Sequence, residues 1–297
     1  MTMISRRGFV TGAAAVAGLS VAGRFAFANP LGLPLGIQLY SVREQMEQDL
    51  DGALAAISAA GYTEVEAAAL PKKSAAEVRA ALDKAGLRCV SAHHPFVDLH
   101  ARFDEIVAYD KALGVHFIIC SSPGFRAPAQ AGATHAPITL DDWRYNAEQF
   151  NAMGEKTAAA SIRFGYHNHV HEFATLEGQI PYLELLRLTD AKKVTFELDC
   201  GWAVVAGMKP VEILKDHPHR ISMLHVKDFK AMALPTQDTH EATVTELGRG
   251  SIDYRPVFAQ AAKTQHIEHA FVEQESFDMP WKESLQVDAE YLRAIRS

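Results

Sequence analysis

The chain has 297 residues, of which 48% are hydrophobic and 22% are charged, and its formal net charge is −7. These values are typical of a globular protein with a full-sized core and argue against intrinsic disorder. An acidic surface repels phosphate backbones, and no Lys- or Arg-rich run follows the N-terminus, so nucleic acid is not expected as a partner.

Residues 1–28 predict an export signal. Arg6 and Arg7 precede an apolar stretch of small residues, and an A-x-A cleavage pattern ends at Ala28. The paired arginines resemble a twin-arginine signal. We therefore expect the twin-arginine export machinery as a partner, a periplasmic or secreted location, and no stable membrane insertion after cleavage. An uncleaved membrane anchor is the alternative.

Eight short β-type runs alternate with helical stretches after the signal. The predicted strands are residues 36–40, 62–67, 88–92, 116–120, 162–167, 194–199, 221–226 and 269–273, and the clearest helices are residues 49–60, 74–85, 103–113 and 141–160. This alternation favours a parallel sheet, and eight units in about 260 residues fit a closed (β/α)8 TIM barrel. We expect residues 29–297 to form one barrel domain, with the long loops 121–137 and 230–252 at its catalytic face.

Local signals support this division of the chain. Ser74 with Glu77 predicts a capping box at a helix N-terminus. Gly61, Gly86 and Gly114 predict left-handed C-caps, because glycine adopts that conformation without steric cost.

The three cysteines, Cys89, Cys120 and Cys200, lie in or beside apolar runs and show no CxxC spacing. A thiol in such a run behaves as a small buried hydrophobe. We expect three buried free thiols and no disulfide.

Ionisable side chains concentrate at the C-terminal ends of the predicted strands, where a barrel carries its catalytic groups. They are Glu64, Glu66, His93, His94, His167, His169, Glu197, Asp199, His225, Lys227, Glu273 and Glu275. Strand alternation puts residues two apart, such as Glu197 and Asp199, on the same face. Imidazoles and carboxylates that converge without cysteine indicate one divalent cation; we favour Mn or Zn, and Co, Mg or Fe are alternatives.

The chain after residue 28 resembles the xylose-isomerase-like barrel superfamily of sugar phosphate isomerases and epimerases. The segments that carry this resemblance are residues 36–43, 61–66, 166–169, 224–228 and 247–253, which read GIQLYSVR, GYTEVE, YHNH, LHVKD and LGRGSID. The resemblance implies the barrel fold, a bound metal and a sugar-like substrate.

Related epimerases hold one divalent metal with Glu, Asp, His and Glu from strands five to eight. By position, the resemblance implies Asp199, His225 and Glu273 as ligands, with Glu275 competing for the last place. The first glutamate falls at His167. In those epimerases the two glutamates also move the proton between the two faces of the substrate, so His167 weakens the case for two-base epimerisation.

We expect a metal-dependent isomerase or epimerase that forms an enediolate from a non-phosphorylated sugar or keto-sugar. A lyase or dehydratase acting on a 3-keto-sugar or inositol derivative, and a non-catalytic sugar-binding barrel, are the alternatives. The proton-transferring groups are expected among His169, Glu66 and Glu273. The predicted substrate contacts are Gln38, His93, His94, Trp202 and Lys227. Whether the chain forms a homo-oligomer is left open.

Overall fold

The computed structural model of the protein describes residues 31–127 and 137–295, so the predicted export signal lies outside the described residues. The strands are β1 (Gly36–Gln38), β2 (Glu64–Ala67), β3 (Arg88–His94), β4 (Phe117–Cys120), β5 (Arg163–His167), β6 (Val194–Asp199), β7 (Ile221–Val226), β8 (Asp228–Phe229), β9 (Val244–Thr245) and β10 (His269–Val272). Strands β1 to β7 and β10 close into a barrel of parallel neighbours. Strands β8 and β9 form a separate antiparallel pair. The predicted (β/α)8 barrel is confirmed.

Helices connect the barrel strands. They are α1 (Arg43–Gln48), α2 (Leu50–Ala60), α3 (Ala75–Ala85), α4 (Phe96–Leu113), α5 (Leu140–Ala159), α6 (Pro181–Leu188), α7 (Cys200–Val205), α8 (Pro210–Asp216), α9 (Arg255–Thr264) and α10 (Trp281–Ala294). Their buried apolar side chains form the main core together with outward-facing strand residues such as Phe164 and Phe196. Within the described ranges, no helix is both long and apolar enough to cross a bilayer.

The predicted helix caps are present. Ser74 Oγ accepts the Glu77 N–H at 3.3 Å, and the Glu77 carboxylate accepts the Ser74 N–H at 2.9 Å. Gly61, Gly86 and Gly114 end their helices with φ values of 95°, 71° and 88°. These ends fix the length of the connections and thereby where each following strand starts.

Several boundaries differ from the prediction, most of them by one or two residues, and two differences have a local cause. The first strand ends at Gln38 instead of residue 40, because its side chain accepts the Tyr40 N–H and turns the chain into a 3₁₀ helix. Helix α4 begins at Phe96 instead of residue 103 and is kinked at Arg102. Pro95 precedes this helix, and its fixed φ suits a helix start.

An apolar floor fills the lower half of the barrel. Five residues from four strands form a cluster separate from the main core: Val90, Phe117, Ile119, Met223 and Phe271. A Cβ on Gly165 would lie 2.6 Å from Ile119 Cδ1, so a larger residue on β5 at this level would require the Ile119 side chain to shift. Two residues after Met223 comes His225, and two residues after Phe271 comes Glu273. Residues two apart face the same side of a strand, so these polar groups lie above the floor.

The three cysteines are buried and unpaired, as expected. Burial raises the pKa of the Cys89 and Cys120 thiols to about 12. A thiol in this state is not a nucleophile or a metal ligand at neutral pH, so the site chemistry rests on nitrogen and oxygen groups.

Candidate metal centre

Strand register brings four ionisable side chains together at the carboxyl end of the barrel. Asp199 lies opposite His225 across β6 and β7, and His225 lies opposite Phe271, two residues before Glu273. Ligand atoms of His167, Asp199, His225 and Glu273 all lie within 4.8 Å of one another, and all four residues are buried. We call these four residues the outer group. They are the four residues predicted to hold the metal.

Asp199 has one carboxylate oxygen without a hydrogen bond among the described residues. Its Oδ1 accepts the Trp202 N–H at 2.7 Å, in the first turn of α7. Its buried Oδ2 has no hydrogen-bond partner in the described part of the chain and lies 4.0 Å from His225 Nδ1. Burial raises the pKa of this carboxyl. This oxygen has an ion pair with the Lys227 ammonium, 3.3 Å away, and no hydrogen bond to any described residue. It can therefore also coordinate a divalent cation, so the residues present fit a metal.

Lys227 lies against the outer group with no exposed surface. Its ammonium is 2.8 Å from Glu273 Oε2, 2.7 Å from Glu275 Oε1 and 3.3 Å from Asp199 Oδ2. Burial favours the neutral amine, but these three carboxylates raise the pKa of Lys227 well above its ordinary value. The ammonium therefore stays charged and offsets part of the negative charge of the site.

The contacts of Glu273 and Glu275 differ. Glu273 reaches both Lys227 and the ring of His225, whose Nδ1 lies 3.1 Å from Glu273 Oε2. Glu275 reaches Lys227 and is not a member of the outer group. The geometry thus favours Glu273 as the ligand from the last barrel strand.

A second set of ionisable side chains lies beneath the outer group. We call Glu66, His93 and Glu197 the inner group. His93 Nε2 lies 2.6 Å from Glu197 Oε2 and 2.9 Å from Glu66 Oε1. His225 Nε2 lies 2.8 Å from Glu66 Oε1, and the Ser91 hydroxyl donates to Glu66 Oε2 at 2.6 Å. Both oxygens of Glu66 are therefore engaged.

The inner carboxylates control the charge of His93. Burial favours the neutral ring, but Glu66 and Glu197 raise the pKa of His93 to about 9. The pKa of Glu66 shifts in the opposite direction: burial would raise it, but His93 and His225 lower it strongly. A charged network therefore lies directly below the mouth of the barrel.

A cavity of about 670 Å³ opens above these groups, large enough for a sugar-sized molecule. Six of the predicted site residues line it: Gln38, His93, His167, His169, Trp202 and Glu273. The predicted site residues Glu66, Asp199, His225 and Lys227 are fully buried and are not part of this lining.

His169 occupies the rim of the cavity. Its ring contacts the His167 ring edge-on at a centroid distance of 4.9 Å. Its backbone N–H donates to Glu172 Oε2 at 2.9 Å, and the Tyr166 hydroxyl donates to the other oxygen of Glu172 at 2.6 Å. The buried Glu172 therefore holds the turn after β5, which fixes the place from which His169 reaches the cavity.

His94 points away from the cavity that His93 lines. Its Nε2 lies 2.7 Å from Asp110 Oδ2 on α4, beside a separate cleft that Lys73 also lines. Neighbouring residues of a strand face opposite sides, so His93 and His94 cannot both face the barrel interior. The structure brings only His93 to the predicted substrate site.

Three further residues complete the site and had no assigned role in the prediction. Glu197 is in the inner group, and its alternation with Asp199 was the available signal. The Asn168 side chain accepts the Asp199 N–H at 3.1 Å and donates to the Asp199 carbonyl at 3.2 Å, which holds the end of β6. Asp228 turns away from Lys227 and accepts backbone N–H groups of the loop that follows β9.

Comparison with known proteins identifies the family to which this chain belongs. The sequence profile of the xylose isomerase-like TIM barrel family matches residues 54–295. An inosose dehydratase of Clostridium botulinum is 24% identical over 242 residues, covering 74% of this chain and 80% of that protein. A crystal structure of a sugar phosphate isomerase/epimerase from Parabacteroides distasonis has a TM-score of 0.72 and 26% identity, covering 95% of this chain and 98% of that one. The structure of the IOLI protein with a bound zinc atom shares the fold, with a TM-score of 0.68, 14% identity, and coverage of 87% and 96%. The chain is a member of the xylose isomerase-like TIM barrel family.

Proposed function

We propose that this chain is a lyase that uses a divalent metal to remove water from a keto-inositol or keto-sugar. The observation that carries the proposal is the set of acid–base groups around the cavity: the carboxylates Glu273 and Glu275 both follow β10, and the other such groups are imidazoles, among them His167 and His169. Epimerisation with two opposed carboxylates does not suit this arrangement. The similarity to inosose dehydratases adds support and makes the lyase alternative our first choice over the isomerase.

The outer group would hold the metal. His167, Asp199, His225 and Glu273 supply two imidazoles and two carboxylates, a donor set suited to Mn or Zn. When bound, the cation supplies Lewis acidity that stabilises negative charge on the oxygens next to the reacting carbon.

His169 is the residue best placed to move the proton. Histidine is the most frequent general acid–base residue in enzymes. Dehydration next to a carbonyl needs a base for the α-proton and an acid for the departing hydroxyl. We assign both tasks to His169: its ring takes the proton from carbon and returns it to the hydroxyl, which leaves as water. The metal ligands then need not titrate during the reaction.

Other side chains would position the substrate. The Gln38 side chain lies 3.2 Å from His93 Nδ1, so these two polar groups form one wall of the cavity. Trp202 lines the opposite region, and its ring packs 4.9 Å from the Lys227 ammonium. An aromatic face beside polar donors suits the apolar and hydroxylated faces of a sugar ring.

A substrate panel tests the proposal. Purified protein loaded with Mn is incubated with keto-inositols and with 3-keto-sugars, and the products are analysed by mass spectrometry. We expect a product lighter by one water and no product after chelation. Turnover that yields only isomers of unchanged mass would contradict the lyase assignment.

A sugar isomerase or epimerase is the second candidate, favoured by the similarity to the Parabacteroides protein over nearly its whole length. Incubation in deuterated water separates the two. Deuterium incorporation into a product with an unchanged carbon skeleton and no loss of water supports the isomerase. Sugar binding without any turnover would leave a non-catalytic sugar-binding barrel.

Export through the twin-arginine route is part of the proposal and rests on the pattern at residues 1–28. An exported enzyme meets non-phosphorylated substrates, in line with the keto-sugars named above. Cell fractionation of the full chain and of an Arg6→Lys, Arg7→Lys variant tests this. We expect the variant to stay in the cytoplasm, and equal export of both would contradict the assignment.

A further inference from the structure

A second cavity lies beside the substrate cavity. Its volume is about 450 Å³, and its walls come from the loop after β2, the end of β3 and helix α4. We call this space the side cleft. Four residues line both the side cleft and the substrate cavity: Ala68, Ala69, His93 and Pro95. A group attached to a ligand in the substrate cavity therefore has a direct path into the side cleft.

Small side chains form the boundary between the two cavities. Residues 67–69 are three consecutive alanines, and Ala68 and Ala69 line both spaces. Ala69 has a φ of 49°, in the left-handed region that residues other than glycine rarely adopt. Strained backbone of this kind is concentrated at ligand-binding sites, where the surrounding structure holds it in place. The boundary thus combines low steric bulk with a backbone strain that marks a binding site.

His94 offers the side cleft a hydrogen-bond acceptor. Its Nε2 lies 2.7 Å from Asp110 Oδ2, and Asp110 is only 1% exposed, whereas the His94 side chain is 21% exposed. A carboxylate partner keeps the ring proton on Nε2, so Nδ1 is the accepting nitrogen. Within the described ranges, Nδ1 has no hydrogen-bond partner. A ligand hydroxyl in the side cleft can therefore donate to it.

The charged side chains of the side cleft mostly satisfy one another. Arg102, at the kink of α4, lies 3.5 Å from Asp98 Oδ1 and 3.3 Å from Glu105 Oε1. Among the charged side chains of the lining, Lys73 alone has no ion pair to a described residue. An ionic ligand would find little unpaired opposite charge here. A neutral ligand with several hydroxyl groups would find both donors and acceptors.

Apolar side chains complete the lining of the side cleft. Leu70, Ile106 and Tyr109 all line it. The Tyr109 hydroxyl donates to the Lys73 carbonyl at 3.2 Å, which ties α4 to the loop after β2 and keeps the two walls in place. A sugar ring presents hydroxyl groups at its edge and apolar C–H groups on its faces, so a cleft with a few polar groups on an apolar lining suits it.

We propose that the side cleft binds a second, neutral sugar ring, which is attached to the ring in the substrate cavity and donates a hydroxyl hydrogen bond to His94 Nδ1. This proposal rests on the proposed function, since it assumes a sugar-like ring in the substrate cavity. The substrate is then a keto-sugar or keto-inositol that carries a further sugar unit. The second ring adds affinity and selects for such substrates, while the chemistry stays at the outer group.

Binding calorimetry tests this proposal. Mn-loaded full-length protein is titrated with glucose and with four glucose disaccharides that differ in linkage: sophorose, laminaribiose, cellobiose and gentiobiose. None of these sugars has the ketone of the proposed substrates, so the titration measures binding without turnover. We expect at least one disaccharide to bind about 10-fold more tightly than glucose, because its second ring adds hydrogen bonds and buries apolar surface.

Two variants separate the side cleft from the substrate cavity. Asp98→Trp places a large side chain in the side cleft and should lower the affinity for the disaccharide to that for glucose. His94→Gln removes the accepting nitrogen and should weaken disaccharide binding by about 2- to 10-fold. Both variants should bind glucose as the wild type does, which also shows that they are folded. Asp104→Trp, the same change at an exposed residue of α4 outside the lining, is the control and should keep the preference.

The outcomes separate this proposal from the proposed function. Equal affinity for glucose and all four disaccharides, or no binding of any of them, would overturn the second-ring site. The lyase assignment would still stand or fall on the mass of the product. A preference that Asp98→Trp retains would also overturn the site, because the second ring would then lie elsewhere. A preference that Asp98→Trp loses, in a protein that removes no water from any keto-sugar, would support the side cleft and contradict the lyase.

Discussion

His225 Nε2 lies 2.8 Å from Glu66 Oε1, and both residues are fully buried. This contact holds the imidazole from the barrel interior, so that its other nitrogen faces Glu273 at 3.1 Å. A carboxylate that holds the second nitrogen of a metal-binding histidine fixes its orientation and raises its basicity. Glu66, one of the predicted proton-transferring groups, is therefore placed to position a ligand.

The first prediction concerns this contact. Glu66→Gln should weaken metal binding by about 10- to 100-fold, because the amide is a poorer partner for His225. Glu64→Gln is the matched control: it lies two residues earlier on β2 and pairs with Arg88 and His269. Calorimetric titration with Mn measures both. Equal affinity of the two variants would contradict the role of Glu66.

Lys227 gives a prediction about charge balance. Lys227→Met leaves three carboxylates without their ammonium, and in the absence of metal it should lower the free energy of unfolding by about 3–5 kcal/mol. Added divalent metal should stabilise this variant more than the wild type. Lys230→Met, which removes an exposed lysine paired with Asp278, should cost at most about 1 kcal/mol. Urea unfolding with and without metal checks these values; no difference between the two variants would refute the argument.

His169 gives a prediction about catalysis. His169→Gln should lower kcat by about 10²- to 10⁴-fold with unchanged metal content, since the ring moves a proton and is not a member of the outer group. His171→Gln, an exposed residue of the same turn, should retain activity. A large loss of metal in His169→Gln would instead make this residue a ligand.

Asp228 anchors the loop that follows β9. Its carboxylate accepts the N–H groups of Phe229, Gly248, Gly250 and Ile252 at 2.9–3.1 Å. Asp228→Ala leaves these donors unsatisfied and should destabilise the protein by about 3–5 kcal/mol. Asp228→Asn, which keeps one acceptor oxygen, should cost less. Chemical unfolding compares the two, and equal losses would contradict the count of accepted bonds.

Asp288 makes stability depend on pH. Burial raises its pKa to about 7, against the opposing hydrogen bond from the Leu247 N–H at 2.7 Å. The folded state therefore holds a proton that the unfolded state releases near pH 4. This contribution to stability is complete below that pH and is lost as the pH rises through 7. The free energy of unfolding should fall less between pH 5 and 8 in Asp288→Asn than in the wild type, and equal slopes would contradict this.

Much of the fold could be predicted from the sequence because its signals are local. Alternating β-type and helical runs, the cap at Ser74 and the glycines at helix ends define most of the barrel strands to within two residues. The start of α4 was missed although Phe96 and Leu99 stand at helical spacing from Phe103 and Ile106. This part of the helix depends on burial of Phe96 and Leu99 against the rest of the fold.

The sequence could predict that the site residues converge at one face of the barrel. It could not predict how deep each side chain lies. Strand ends meet at one face of any barrel, so the ionisable residues there could be grouped in advance. The choice of His167, Asp199, His225 and Glu273 among them came from the family resemblance. The level of each side chain depends on register, and β6 shifts its pairing with β7 between Phe196 and Glu197. Such shifts place Glu197 and Glu66 below the cavity, which no single strand reveals.

The most direct test of the metal centre is anomalous diffraction from crystals grown with Mn. The account predicts a peak at the Mn edge within about 2.0–2.5 Å of Asp199 Oδ2 and His225 Nδ1, with Glu273 and His167 completing the ligands. A map of an active, Mn-loaded enzyme with no peak between these residues would contradict it.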